Sequence, residues 1–396
     1  MMDAEKPLRV ALIGHGFMGA AHSQAWRVAP RFFDLALQPR MALLVGRDAD
    51  RTSAAARKWG WEETSTDWEE AVRREDIDVV DIVTPGASHA EIALAALAAG
   101  KHVLCEKPLA NTVEEAQAMA DAAARAVSGG ARAMVGFTYR RLPASVHARN
   151  LVAEGAIGDV RQVRAAYLQD WLVDADAPLS WRLEQDQAGS GVLGDLGAHI
   201  IDLAQYVTGA RLGEVAGTLE TVVESRPLPA SSGADGGLGG QRGTGGERGA
   251  VTVDDVALFT GRFGNGVLGT FEASRMATGR KNALRLEVYG SRGALAFDLE
   301  ELNFLDFYDY TAPADRQGFT RIMVTEPVHP YVDAWWPAGH SLGYEHGFVH
   351  QVRDFVDAIA SGSQPSPSFA DGLQVQQVLD AVTRSSGKSS AWTPVQ

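Results

Sequence analysis

Asp195 and His199 stand four residues apart in Gly191-Val192-Leu193-Gly194-Asp195-Leu196-Gly197-Ala198-His199. Four residues is about one helical turn, so an acid and an imidazole would leave one face of a helix. Such a pair can hold a hydroxyl and take its proton. The glycines just before it would let backbone or ligand approach closely. The competing reading is a helix on which His199 packs or caps and Asp195 is solvated. A second chemical group is Lys107, in Cys105-Glu106-Lys107-Pro108. A lysine at the end of an apolar strand can bind a substrate hydroxyl, or act as a base once burial or nearby positive charge lowers its pKa. The competing reading there is a surface lysine before a turn proline.

Two kinds of folding unit are needed to position these groups. Residues 8–139 alternate apolar strands with alanine-rich helices. The strands are Leu8–Ile13, Met41–Val45, Asp78–Thr84, His102–Cys105 and Ala133–Phe137. The helices are Asp50–Trp59, His89–Ala99 and Thr112–Val127, the last opening with the capping-box pattern Thr112-Val113-Glu114-Glu115. Strands apolar throughout imply a parallel sheet covered on both faces. After residue 140 long strands dominate: Val160–Trp171, Glu214–Glu224, Val256–Phe263, Val267–Ser274, Leu284–Tyr289 and Ala294–Leu299. Asn265-Gly266 and Gly290-Ser291-Arg292-Gly293 join neighbours by turns too short for anything but antiparallel pairing. Two helices follow, at Tyr344–Ala360 and Gly372–Thr383. The expectation is a Rossmann-type α/β domain over 1–139, then an α+β domain over 140–396 with a large, mainly antiparallel open sheet. The second domain would carry a mobile Gly/Ser-rich loop at 231–249.

Gly14-His15-Gly16-Phe17-Met18-Gly19 follows the first strand and opens a helix. This is the strand–turn–helix setting in which GxGxxG binds a dinucleotide pyrophosphate. Gly14 would make the tight turn, Gly16 admit the phosphates, and Gly19 pack helix on strand. Phe17 and Met18 lie in the first helical turn, where free N–H groups meet the anion. An NAD site would end the second strand in Asp or Glu. Here Gly46-Arg47-Asp48 follows Val45. Arg47 offers a donor fork suited to a 2′-phosphate, so the reading leans to NADP. In the competing reading Arg47 stacks on adenine and Asp48 reaches the ribose, which allows NAD.

The four motifs GHGFMGAAH, TPGASHAEIA, CEKPLA and GDLGAHIIDLA, in this order, resemble the Gfo/Idh/MocA family of sugar and polyol dehydrogenases. The resemblance covers essentially the whole chain. It implies a Rossmann domain, a C-terminal open-sheet domain and an active site between them. It implies that Lys107 and His199 manage the hydroxyl proton, while Asp195 binds sugar hydroxyls and orients the lysine. Thr84, Pro85 and His89 match the segment that lines the cofactor, and Glu106 and Lys107 fall in the family's Glu-Lys-Pro corner. Segments such as Tyr167-Leu168-Gln169-Asp170-Trp171 and Pro178-Leu179-Ser180-Trp181-Arg182 narrow the resemblance to members that act on glycosides at C3. Thr138 stands where that comparison leads one to expect Asn.

Gln169 and Trp171 share one strand face; an amide for hydroxyls and a ring for a sugar face suit a pyranose. Tyr139 and Arg140, near the domain junction, are further candidates for the substrate. The expected activity is hydride transfer between NAD(P) and a secondary hydroxyl of a pyranose, anhydrosugar or glycoside. Two alternatives remain: a redox-assisted lyase or hydrolase that consumes no cofactor, and a non-catalytic nucleotide-bound sensor.

The totals set the outer limits. With 396 residues, two domains are natural. The net charge of −14 speaks against nucleic acid or an anionic membrane as partner. The single Cys105 excludes an internal disulfide. No apolar run reaches the ~20 residues of a membrane span, and the reading places the chain in the cytoplasm. The histidines show no metal-ligand spacing. An open sheet usually needs a partner, so a homodimer or homotetramer is expected.

Overall fold

A computed structural model describes residues 7–229 and 246–396. Most of the expected loop at 231–249 lies outside these residues, and its last part is ordered as a short strand.

The first stretch builds a covered parallel sheet. Its elements run β1 (Leu8–Ile13), α1 (Phe17–Phe32), β2 (Pro39–Val45), α2 (Ala49–Trp59), β3 (Glu63–Ser65), α3 (Trp68–Arg73), β4 (Val79–Ile82), α4 (His89–Ala98), β5 (His102–Cys105), α5 (Val113–Ala126) and β6 (Ala133–Val135). The strand order is β3-β2-β1-β4-β5-β6, every pair parallel. β4 is buried along its whole length and β5 over Val103–Cys105, as strands sandwiched between helices must be. The order reverses direction between β1 and β4, which creates a crevice at their carboxyl ends. The Thr112–Glu115 capping box is formed. β3 and α3 were not expected; neither carries a clear apolar period.

The second unit is an open mixed sheet with helices on one face. α6 (Pro143–Ala153), β7 (Val160–Leu168), α7 (Gln185–Ala188), α8 (Ala198–Thr208) and β8 (Leu212–Glu220) come first. β9 (Ser225–Pro227) and β10 (Arg248–Ala250) form a separate two-stranded ribbon. β11 (Val256–Phe263), β12 (Leu268–Ser274), β13 (Ala283–Gly290), β14 (Gly293–Asp298), β15 (Phe304–Asp309) and β16 (Phe319–Met323) follow. With β17 (Thr393–Pro394) the large sheet has the order β16-β15-β14-β13-β7-β12-β11-β8-β17. The Asn265-Gly266 turn joins antiparallel β11 and β12, and Gly290–Gly293 joins antiparallel β13 and β14. One pair, β7 with β12, is parallel. α8 packs on β7 and β13, and α6 on β14 and β15. Along β11 buried and exposed residues alternate, so the face away from the helices is open.

The chain then returns to the first unit. α9 (Tyr344–Ser361) lies against α1, with the Phe17 and Tyr344 rings 6.5 Å apart. α10 (Phe369–Ser386) follows. Compact units comprise the chain through Thr138 with Tyr344–Leu373, and Tyr139–Gly343 with Gln374–Gln396. The expected second domain over 140–396 is therefore interrupted: α9 follows it in the chain, but packs on α1 in the Rossmann unit.

Candidate active site

The Rossmann unit presents a nucleotide turn in which each glycine has a separate cause. Gly14 has φ +109°, and a Cβ there would lie 2.9 Å from the Val83 carbonyl oxygen. Gly19 lets α1 sit on that turn, since a Cβ would lie 2.7 Å from the Gly14 carbonyl. Around Gly16 a Cβ would meet nothing within 4 Å, so the approach to the helix start is open. The first helical bond runs from Ala20 N–H to the Gly16 carbonyl. The N–H groups of Phe17, Met18 and Gly19 thus have no place in the helical ladder and suit an anion. This turn fits the pyrophosphate of a dinucleotide.

At the end of β2 the space where an acid is expected is taken. A Cβ on Gly46 would lie 2.2 Å from His15 Cδ2 and 2.5 Å from Thr52 Oγ1. Arg47 is exposed. Asp48 caps α2 by accepting the Arg51 N–H at 2.9 Å, a local task that competes with a ribose contact.

Thr84 and Pro85 follow the carboxyl end of β4, both half-buried. His89, expected to line the cofactor, is buried, its ring nitrogens each 2.9 Å from a carbonyl, those of Thr84 and Pro108. Burial pushes its pKa down, against those carbonyls. It ties two strand-end loops together and faces inward. Glu106 is likewise buried, 4% exposed. Its Oε1 lies 3.1 Å from His22 Nε2, and its Oε2 accepts the Lys107 N–H at 3.1 Å. Lys107 itself is half-buried at the carboxyl end of the parallel sheet. Cys105 is buried packing, and burial pushes its thiol well up.

In the second unit the Asp195/His199 segment is not a plain α-helix. Leu193–Gly197 form a π-helical turn, with the Ala198 N–H reaching the Leu193 carbonyl, and α8 continues from it. Such wider turns recur at functional sites. Within Gly191–Ile200 every residue except Asp195 and His199 is buried. The pair therefore forms the accessible face of an otherwise packed segment. Asp254 holds the start of the turn: its carboxylate accepts the Gly191 N–H at 2.8 Å and the Leu193 N–H at 2.7 Å. Burial raises the Asp254 pKa, opposed by these donors and by Arg275. Arg275, fully buried, brings Nη1 to 3.9 Å from Asp195 Oδ2.

His199 sits against two tyrosines, its ring centroid 4.6 Å from Tyr139 and 5.8 Å from Tyr167. The Tyr139 and Tyr167 hydroxyls are 2.7 Å apart. Asn282 Oδ1 accepts from the Tyr167 hydroxyl at 2.7 Å and from Gln169 Nε2 at 2.8 Å. Trp171 is half-buried, with the Arg275 guanidinium 5.7 Å from its ring. Tyr139, Gln169 and Trp171 are thus in the neighbourhood of His199 and Asp195. Arg140 is not free for a ligand: it is buried and its fork grips both oxygens of Asp202. Sequence reasoning missed Asp254, Arg275, Asn282 and His22. The period-two spacing of Tyr167 and Gln169 was readable, but no local signal marks the others.

An open glycine turn at the switch point of a parallel sheet, a lysine at a strand end, and an accessible acid–imidazole pair define a dinucleotide-dependent oxidoreductase. The chain belongs to the Gfo/Idh/MocA oxidoreductase family. Residues 8–137 match the family's NAD-binding Rossmann fold and residues 145–296 its GFO/IDH/MocA C-terminal domain. The chain is 44% identical to levoglucosan dehydrogenase of Pseudarthrobacter phenanthrenivorans, over 98% of both chains. Among solved structures it resembles an oxidoreductase domain protein from Kribbella flavida, with 61% identity, TM-score 0.93 and coverage of 99% and 100% of the two chains. It also resembles levoglucosan dehydrogenase in complex with NADH and levoglucosan, with 41% identity, TM-score 0.90 and coverage of 98% and 99%.

Proposed function

We propose that this protein oxidises a secondary hydroxyl of a cyclic sugar, anhydrosugar or glycoside, at C3, with a nicotinamide dinucleotide as partner. The observation that carries the reading is the Asp195/His199 pair, alone in reaching solvent from a buried segment and backed by the Tyr139–Tyr167–Gln169–Asn282 hydrogen bonds. The likeness to levoglucosan dehydrogenase supports the substrate class.

When bound, the nicotinamide ring accepts the hydride. The protein's part is position and proton transfer. Phe17, Met18 and Gly19 N–H groups bind the pyrophosphate. Thr84 and Pro85 line the strand-end crevice. Lys107 and His199 handle the hydroxyl proton, and Asp195 accepts hydrogen bonds from neighbouring hydroxyls. Gln169 and Tyr139 add polar contacts and Trp171 a ring face. The exposed Arg47 beside Gly46 favours a 2′-phosphate, so NADP is the preferred form. The open sheet face, with Leu258 and Leu268 exposed, supports a homodimer or homotetramer, and a sedimentation run showing monomer alone would remove that part.

The test is Lys107→Ala. It is expected to keep dinucleotide binding, followed by fluorescence, and to lose turnover by about 10²–10⁴-fold, the usual scale of acid–base catalysis. Near-normal turnover would refute the assignment. Monosaccharides, anhydrosugars and glycosides screened for NAD(P)H formation identify the substrate. Glycoside cleavage with no net NAD(P)H would replace dehydrogenation by a redox-assisted lyase.

A further inference from the structure

Three ionisable side chains lie together inside the Rossmann unit, outside any role assigned so far. His22, on the second turn of α1, is 1% exposed, Asp81 on β4 is 0% and Glu106 after β5 is 4%. His22 Nδ1 lies 2.9 Å and 3.0 Å from the two Asp81 oxygens, and Nε2 lies 3.1 Å from Glu106 Oε1. A neutral imidazole has one N–H and cannot donate on both sides. A carboxylate at each nitrogen therefore fixes the imidazolium. Burial alone would lower the His22 pKa, but Asp81 and then Glu106 outweigh it and lift it to about 10. Trp26 Nε1–H donates to Asp81 at 2.7 Å, and the Phe348 ring of α9 covers the imidazole at 5.6 Å. The other titratable neighbours that feel Glu106 are His89 and the Cys105 thiol.

The network reaches the Lys107 backbone. Glu106 Oε2 accepts the backbone N–H of Lys107 at 3.1 Å. Its other oxygen is confined, since a Cβ on Gly136 would lie 2.5 Å from Oε1. Burying charges is expensive, and apolar residues would fill the same space without that cost. Such a cluster earns its place by fixing a geometry.

We propose that His22 is a positioning residue for Lys107. Its imidazolium clamps the Glu106 carboxylate, and that carboxylate fixes the Lys107 peptide and so the direction in which the lysine leaves the strand end. Because His22 rides on the helix that starts at Gly16, the clamp also links the dinucleotide turn to the lysine. The inference rests on the reading of Lys107 as a proton-handling group.

The experiment compares His22→Gln, Lys107→Ala and the parent enzyme under sugar oxidation. His22→Gln is expected to lower kcat by at least about tenfold, with the dinucleotide Kd and the sugar KM within about threefold. Its kcat–pH profile is expected to change shape relative to the parent's, because the cation between Glu106 and Asp81 is gone. Adding Asp81→Asn removes the second buried carboxylate charge and should bring the profile back towards the parent's. A parent-like kcat and pH profile in His22→Gln, with Lys107→Ala inactive, overturns the inference. An active Lys107→Ala overturns the functional reading instead. If His22→Gln does not fold, Gly136→Ala displaces the Glu106 carboxylate with His22 intact; the same fall in kcat supports the clamp, and an unchanged kcat overturns it.

Discussion

A methyl group on Gly191 would lie 1.9 Å from the Asp254 carbonyl oxygen and 2.7 Å from its amide nitrogen. The backbone that presents Asp195 is pressed against the backbone that holds it, with the Val192 N–H also bonded to the Asp254 carbonyl at 2.9 Å. Neither side of this contact is a flexible side chain that can give way.

Gly191→Ala should therefore cost more than about 2 kcal/mol of stability, the range of a core overpacking defect, and lower kcat by moving Asp195. Gly197→Ala is the control, because its Cβ would meet the end of the Leu193 side chain at 3.2 Å and backbone no nearer than the Val192 carbonyl at 3.8 Å. Thermal unfolding and kcat of the two variants check the claim; equal stability would contradict it.

Arg140 and Asp202 form a buried pair, and Tyr206 lies under the guanidinium at 5.1 Å. Arg140→Met removes the guanidinium that grips both oxygens of the buried Asp202, a loss of about 3–5 kcal/mol. The expected signature is a lower denaturant midpoint with an unchanged sugar KM in whatever enzyme stays folded. A large rise in KM with intact stability would return Arg140 to the substrate.

Cofactor choice can be tested at the end of β2. Arg47→Ala should raise KM for NADP far more than for NAD. Gly46→Asp, which would place a side chain 2.2 Å from the His15 ring, should fail to improve NAD use unless His15 is also shortened. Steady-state kinetics with both nucleotides decide this, and a strong NAD preference in the parent enzyme would remove the role of Arg47.

The His22 cluster predicts a slope of stability with pH. The folded pKa near 10 exceeds the ordinary value of 6.5. The folded state then binds a proton that the unfolded chain gives up, so this contribution is complete below about pH 6.5 and is lost as pH rises through 10. Urea unfolding from pH 6.5 to 10 should show falling midpoints in the parent and a shallower fall in His22→Phe. Parallel slopes would contradict it.

How much of this was legible depended on whether the cause was local. Leu8–Ile13 and His102–Cys105 could be bounded because unbroken apolar runs between polar turns have one reading. Asn265-Gly266 specified its hairpin because a positive φ, here +87°, needs glycine. Lys107, Asp195 and His199 stood out through motif context. What escaped was set by partners distant in sequence. Gly191 looked like a glycine for ligand approach, yet its reason is Asp254, 63 residues later. The π-helical turn has no periodic signature distinct from an α-helix over five residues. Glu106 reads as a site residue beside Lys107, and only its pairing with His22, 84 residues away, turns it inward. β15 and β16 carry mixed polar and aromatic residues whose strand state comes from neighbours.

The parallel pairing of β7 with β12 has its own consequence. In register, Leu168 faces Ser274, so both strands discharge their carboxyl ends at the same edge. The two emerging segments stay laced together: the Gln169 N–H bonds to the Ser274 carbonyl at 2.8 Å, and the Ala277 N–H to the Gln169 carbonyl at 2.9 Å. Gln169 and Trp171 thus leave beside Arg275 as two fingers of one hand. The residues that would read a sugar lie past the last rung of the ladder, where they can be exchanged without rewriting the sheet beneath. New specificities in this scaffold are therefore to be sought by editing the accessible positions of two short segments, 170–171 and 276–278, rather than the buried Leu172 and Arg275 or the strands that carry them.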